Sequence, residues 1–275
     1  MMPPHQTRNI PSKDVKAAIK ASGAVLAIWN NDWDTVPGHW WWICCDDPNY
    51  DLPNFPKNPR RDIRKGLEAC EVKQVDGKWF CENGYDVYEA GFLGYGEKPP
   101  MNRDQFAAEF RHNAEYAGRE TWGAFVDGRL VAYESCIIVD DMVLESSAKS
   151  DSNYHKSHPN NALVYTLTRH YLRERGMKYV TSGRRVLHHD TNVQEFQEKL
   201  GYRKVYCPLK AEMSCLASLA TTVRIPFALR LLGIAGVRPN MARAFEGLSS
   251  VRKWAQLDSK LVHPYADSEK AEGSS

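Results

Sequence analysis

TWGAFVDGRLVAYESCIIVDDMVLESSAKS, residues 121–150, is the stretch from which the fold is read. It holds three apolar runs, 121–126, 129–139 and 142–150. Asp127-Gly128 is a two-residue hairpin turn of the type that permits positive φ. Asp140-Asp141 turns the second run into the third. Three successive antiparallel strands are expected. In the third, Val143 and Glu145 face one way and Leu144 and Ser146 the other.

Downstream, Pro159 to Arg175 is a long amphipathic helix, with Pro159 in its first turn and Gly176 as its stop. MKYVTSG (177–183) reads as a buried strand, Asn192 to Leu200 as a helix ended by Gly201, and YRKVYCPLKAEM (202–213) as a last strand. Upstream, EVKQVD (71–76) alternates like a strand. Tyr85–Tyr95 and Asn102–Glu115 show helical periodicity, and Asn102 is a plausible N-cap. Arg60 to Cys70 predicts a basic helix, either a solvated face or a grip on a phosphorylated donor or an anionic surface. GAVLAIWN (23–30) and HWWWICC (39–45) predict a Trp-rich β-hairpin packed on the main sheet; a second reading is an aromatic wall for an acyl or sugar substrate.

The sequence has 275 residues, 43% of them hydrophobic and 25% charged, and a formal charge of +2. That near-neutral balance argues against bulk binding to a phosphate backbone. No period of 20–50 residues points to a repeat protein, and no run is long and apolar enough to span a membrane. The seven cysteines form no C-x-x-C pair, and the start lacks an apolar signal core. A reducing cytoplasm is the expected location, with no metal site.

From 71 to 213 the order is β-α-α-β-β-β-α-β-α-β. With V-D-G-R-L-V-A-Y (126–133), Y-H-K-S-H-P-N-N-A-L (154–163) and N-V-Q-E-F-Q-E-K-L-G-Y (192–202), it resembles the GNAT acyltransferase superfamily. These motifs look like that family's strand 2–strand 3 hairpin, its pyrophosphate loop with the following helix, and its late helix with a Lys-Leu-Gly-aromatic ending. Here the family's loop-glycine positions hold His158 and Asn160, with Pro159 between them, and its late-helix tyrosine position holds Gln197. The Pro-led helix start and Phe196 look more like the FemAB and BioF2-like acyltransferases. The resemblance implies an α/β (α+β) fold: a mixed, mostly antiparallel sheet flanked by helices, with the N-terminal hairpin and a C-terminal helical extension. The expected segments are a flexible terminus (1–20), an N-terminal extension (21–70), the acyltransferase domain (71–213), the helical extension (214–262) and a disordered tail (263–275).

The resemblance further implies an N-acyltransferase without a permanently bound cofactor, using acyl-CoA as co-substrate. Carrier-protein thioesters and aminoacyl-tRNA stand as alternative donors. The acceptor would be an amine or hydroxyl on a small metabolite, sugar or lipid precursor. Attack would be direct, since the G-x-S-x-G elbow of a covalent mechanism is missing. Glu145 is the first candidate base and Glu134 the second; the alternative for either is a strand-edge salt bridge. His188 and His189, beyond the fifth core strand, are further candidates, with Asp190 orienting an imidazole or, with Thr191 or Asn192, capping a helix. Asn160, Asn161 and Ala162 would offer N–H groups to the donor phosphates beside His158, with Lys156 and His155 adding charge. A non-catalytic binding or scaffold module is the rival class.

The apolar segment 216–237 is interrupted by Arg224, Pro226 and Arg230. It predicts two short helices, broken near Gly233 to Pro239, docked on the chain's own core. A second subunit, as in a homodimer, or peripheral membrane contact are the alternatives.

Overall fold

The computed structural model describes residues 5–6, 10–36, 38–185, 193–222 and 247–258. They fall into two compact units, each assembled from separate chain segments. One comprises Met1–Trp42, Arg184–Asp190 and Val205–Ser275, the other Ile43–Gly183 and Thr191–Lys204. No described helix is long and apolar enough to cross a membrane.

The main sheet has seven strands: β2 (Trp40–Cys45), β3 (Glu71–Val75), β4 (Arg119–Val126), β5 (Arg129–Val139), β6 (Met142–Ser150), β7 (Tyr179–Arg184) and β8 (Arg203–Cys207). Their order is β3-β4-β5-β6-β7-β2-β8. β3 to β6 pair antiparallel and β6 pairs parallel with β7. The three-strand core read from 121–150 is therefore present, and both residues of its first turn, Asp127 and Gly128, have positive φ.

The Trp-rich hairpin is not formed. β1 (Leu26–Asn30) pairs with β9 (Leu209–Met213) in a separate two-stranded sheet, while β2 enters the main sheet between β7 and β8. The reason lies in the WWWICC run. Trp40, Ile43, Cys44 and Cys45 are all buried, the mark of a strand covered on both faces rather than of a half-exposed hairpin arm. The single last strand expected over 202–213 is likewise two, β8 and β9, parted at Pro208, which has no N–H for a ladder. Residues 12–20, expected to be flexible, belong to a helix, α1 (Ser12–Ser22), with Val15 and Ile19 buried one turn apart.

In the second unit, α2 (Lys57–Ala69) precedes β3, and α3 (Gly77–Asn83), α4 (Tyr85–Leu93) and α5 (Arg103–Ala114) follow it. α3 is an addition to the elements expected from the sequence. Its cap is Asp76, whose carboxylate accepts from Lys78 N and Trp79 N at 2.9 and 3.1 Å. α5 has a full capping box between Asn102 and Gln105. Phe80, Phe106, Phe110, Tyr85 and Tyr88 pack with Tyr133 of β5. The Phe106–Phe110 and Phe80–Tyr133 ring centroids are 4.4 and 4.8 Å apart. Each such buried ring contributes about 1.5–3 kcal/mol.

α6 (Pro159–Arg169) packs on β4 and β5 and runs into a π-turn, His170–Glu174, rather than continuing as one α-helix to Arg175. α2 lies close against it. A Cβ on Gly66 would stand 2.6 Å from the His158 carbonyl oxygen and 3.0 Å from the Ala162 Cβ. No side chain fits there without displacing backbone.

Of the C-terminal region, α8 (Cys215–Thr222) and a helix over 247–258, α9, are described; the expected break at Gly233 to Pro239 and the tail 263–275 lie outside the described residues. α9 docks within the first unit through Val251 and Asp258, seven residues apart on one face and both buried. The Asp258 carboxylate accepts from His39 N and Nδ1, both at 2.8 Å, and from Leu209 N at 2.7 Å. Asp258→Ala is expected to cost about 1.5–3 kcal/mol, because it strands the buried Leu209 N–H. The denaturation midpoint of the full chain measures this; an unchanged midpoint would show that α9 is held by other contacts.

Candidate functional site

The parallel pairing of β6 with β7 is short. It runs Met142↔Tyr179, Val143↔Val180, Leu144↔Thr181 and stops. The other edge of β7 neighbours β2, and there Thr181 Oγ1 donates to the Ile43 carbonyl at 2.7 Å. On the other edge of β6, the register steps from Cys136↔Glu145 to Ser135↔Ser147. Ser146 is thus an extra residue, a β-bulge, and its hydroxyl donates to the Ser135 carbonyl at 2.8 Å. The split and the bulge meet at Glu145. The sheet opens on one side of this residue and bends on the other, and bulges of this kind re-aim a side chain.

Glu145 is buried, yet both of its carboxylate oxygens have donors. Tyr202 OH donates to Oε1 at 2.5 Å and Gln197 Nε2 to Oε2 at 3.0 Å. Tyr202 OH also meets Thr168 Oγ1 at 2.7 Å. These partners are 52 and 57 residues away from Glu145 along the chain. Gln197 sits on α7 (Val193–Lys199). Gly201, at φ +85, makes the turn that returns Tyr202 N to the Gln197 carbonyl at 3.1 Å. Only glycine adopts that backbone freely, so the Lys-Leu-Gly-Tyr ending of this helix serves to set Tyr202 on Glu145.

Burial raises the Glu145 pKa to about 7, opposed by the hydrogen bonds from Tyr202 and Gln197. That value suits a general base at neutral pH. Burial, then the charge of Glu145, pushes the Tyr202 hydroxyl well up, so it stays a donor. Glu134 lies on the same face: it is two residues from Cys136 on β5, and Cys136 pairs with Glu145. Its carboxyl is buried as well. Burial first and Glu145 second drive its pKa well above the carboxylate range, with Lys149 opposing. Neither carboxylate is a strand-edge salt bridge among the described residues. Burial, then Glu134 and Glu145, hold the Cys136 thiol well up too, so it is a neutral thiol and no nucleophile.

At the start of α6, His158 has left-handed backbone (φ 49°, ψ 42°). Asn161 N and Ala162 N both donate to the His158 carbonyl, at 3.1 and 3.2 Å. Two of the three amides expected to face a donor are therefore engaged within the helix, and Asn160 N–H is the one left. Asn160 Nδ2 donates to Ser150 Oγ at 3.1 Å, tying the helix start to the end of β6. Lys156 and His155 are exposed, His158 half-buried and Ala162 buried.

His188, His189, Asp190, Thr191 and Asn192 lie outside the described residues. Among the described residues no group of His, Cys, Asp and Glu has the arrangement of a metal site. A cavity of about 550 Å³ lies between α3, α5 and strands β3 to β5, with Phe80, Phe110, Arg111, Ser135 and Cys136 in its lining; Glu145, Gln197 and Tyr202 are not part of it. Sequence reading missed Gln197 and Tyr202 as site residues. The available signal was the Gly201-Tyr202 pair, a forced turn followed at once by an aromatic hydroxyl.

Neither a scan against protein-family models nor a search of curated proteins finds a match. A crystal structure of FemX does match, with a TM-score of 0.53 and 11% identity, over 66% of this chain and 63% of that one. The fold is GNAT-like. Two further solved structures are similar at lower scores. One is the C-terminal domain of a putative lysylphosphatidylglycerol synthetase from Agrobacterium fabrum (TM-score 0.47, 12% identity, 73% of this chain and 66% of that one). The other is the aminoglycoside N-acetyltransferase AAC(6')-Iy in complex with CoA (TM-score 0.40, 13% identity, 50% and 89%). The chain spans just under two thirds of the FemX and synthetase-domain chains.

Proposed function

We propose that this chain is an acyltransferase working by direct attack of an amine or hydroxyl, its chemistry carried by Ile43–Gly183 and Thr191–Lys204. The observation that supports this reading is Glu145, a buried carboxylate held by two donors at the point where the sheet both splits and bulges. The opened edge of β6 offers strand backbone to an acyl carbonyl. Glu145 takes the proton of the attacking amine or hydroxyl, and a tetrahedral intermediate collapses with loss of the donor's leaving group. With Cys136 a neutral thiol, no covalent acyl-enzyme is required.

The donor is acyl-CoA, its phosphates taken by Asn160 N–H at the α6 start together with Lys156 and His158. Calorimetric titration of the full chain with acetyl-CoA and longer acyl-CoAs tests this. Binding is expected, and it should weaken ~10-fold or more in a Lys156→Ala, His158→Ala double variant, which removes charge-assisted contacts. A folded chain that binds no acyl-CoA sinks the CoA reading and leaves carrier thioesters and aminoacyl-tRNA as donors. Failure with all three favours a binding module, the reading that the engaged amides of Asn161 and Ala162 support.

A further inference from the structure

Two buried carboxyls share one face of the sheet, and their surroundings differ sharply. Glu145 receives two hydrogen bonds, one on each oxygen. The Glu134 side chain has no hydrogen-bond donor among the described residues, and the cation that acts on it is Lys149. A buried carboxylate without a donor is costly, whereas the neutral acid is not. Two carboxyls that feel each other's charge do not both ionise at neutral pH. Donors on one member and none on the other decide which keeps the charge. Of the two donors on Glu145, Tyr202 is engaged by Glu145 and Thr168 and Gln197 is an amide whose Nε2 faces the carboxylate; burial keeps the nearby Cys44, Cys45, Tyr50 and Cys136 in their protonated forms.

Resting on the acyl-transfer reading, we propose that Glu134 and Glu145 hold a single proton between them, carried by Glu134, and that Glu134 is the acid of the reaction while Glu145 is the base. Glu145 accepts the proton of the attacking N–H or O–H as the new acyl–N or acyl–O bond forms. The acyl–S bond of a thioester, or the acyl–O bond of an ester, breaks, and Glu134 gives its proton to the departing sulfur or oxygen. The pair is left with the proton on Glu145. Its return to Glu134 restores the starting state, so one proton enters with the acceptor and one leaves with the released thiol or alcohol. No oxidant or reductant takes part. Pairs of carboxyls whose environments push them apart are a general way to obtain an acid and a base from one residue type.

The shared proton is tested without any substrate. Full-length chain labelled with ¹³C at the glutamate carboxyl is titrated by NMR from pH 5 to 9, as wild type, Glu134→Gln, Glu145→Gln and Tyr202→Phe. One glutamate resonance is expected to remain at the neutral-acid position at pH 7 in the wild type and to vanish in Glu134→Gln. In Glu145→Gln the same resonance should titrate at lower pH, the like charge being gone. In Tyr202→Phe the Glu145 resonance should titrate at higher pH. Titration of both carboxyls in the ordinary range overturns the proposal, as does a neutral resonance that survives in Glu134→Gln and is lost in Glu145→Gln. The acid role is read from a series of acyl donors with leaving groups of graded acidity. Glu134→Gln should lose ~10²-fold or more on the least acidic leaving group and little on the most acidic; an equal loss along the series refutes acid catalysis. A chain that shows the shared proton yet transfers no acyl group refutes the acyl-transfer reading and the acid role with it, while the shared proton stands.

Discussion

Glu145→Gln should lower kcat by ~10²–10⁴-fold and leave donor affinity nearly unchanged, since the group acts on the acceptor. Steady-state turnover with the acyl donor that binds most tightly, beside calorimetric donor affinity, separates the two effects. The substitution is a fair test of chemistry rather than of folding. The amide keeps an oxygen to accept from Tyr202 OH, the shorter of the two bonds at 2.5 Å, and gives up only the contact with Gln197 Nε2 at 3.0 Å. If the variant keeps full activity, Glu145 is not the base, and His188, His189 or Glu134 must take that role. If kcat and donor affinity fall together, Glu145 shapes the donor cleft rather than the reaction.

The same burial has a thermodynamic consequence. The carboxyl of Glu145 moves from 4.5 to about 7 on folding, so the folded state binds the proton more tightly than the unfolded chain. Stability from this group is fully present below about pH 4.5 and is lost as pH rises through 7. The loss is ~3 kcal/mol for a shift of this size. Glu134, displaced in the same direction, extends the decline to higher pH. Asp51 and Glu174 are shifted the other way, each chiefly by one hydrogen bond, from Leu52 N and His170 respectively. What they contribute is lost only in acid, outside this window. Denaturant midpoints of the full chain at pH 5, 6, 7 and 8 should therefore fall with pH, and the fall should be shallower in Glu145→Gln. Parallel slopes in the two proteins would mean that the Glu145 carboxyl is as solvated in the folded chain as in the unfolded one.

Much of the core was legible because its signals are local. Asp127-Gly128 and Asp140 take positive φ where the turns were expected, the Asn102 cap is formed, and the three strands over 119–150 pair in sequence. Alternation over 142–150 puts Glu145 opposite Leu144, and the structure buries both Glu145 and Glu134. Some local chemistry escapes the sequence reading, as with the Val15–Ile19 face of α1. Asp76 reads as the end of a strand, but β3 ends at Val75 and the Asp76 carboxylate caps α3.

The errors have a common origin. HWWWICC announces a strand but says nothing of its neighbours, so proximity in sequence points to the nearest strand as its partner; Pro208 instead sends β8 and β9 to different sheets, and β1 pairs with β9. Residue identities mark the helix start at His158 to Ala162, but only the backbone geometry decides that Asn161 and Ala162 spend their amides on the His158 carbonyl.

The sequence by itself determined most of the order of elements from 71 to 213, the turns that join the central strands, and Glu134 and Glu145 as candidate carboxyls on two of them, because periodicity, capping and turn chemistry act over a few residues. Tertiary structure alone decided where β2 inserts, where β6 parts from β7, that Ser146 is a bulge, and that Gln197 and Tyr202 close on Glu145 from more than 50 residues away. The physical reason is that strand pairing and the satisfaction of a buried charge depend on which distant donors the fold brings within about 3 Å, and no short window of sequence encodes that distance.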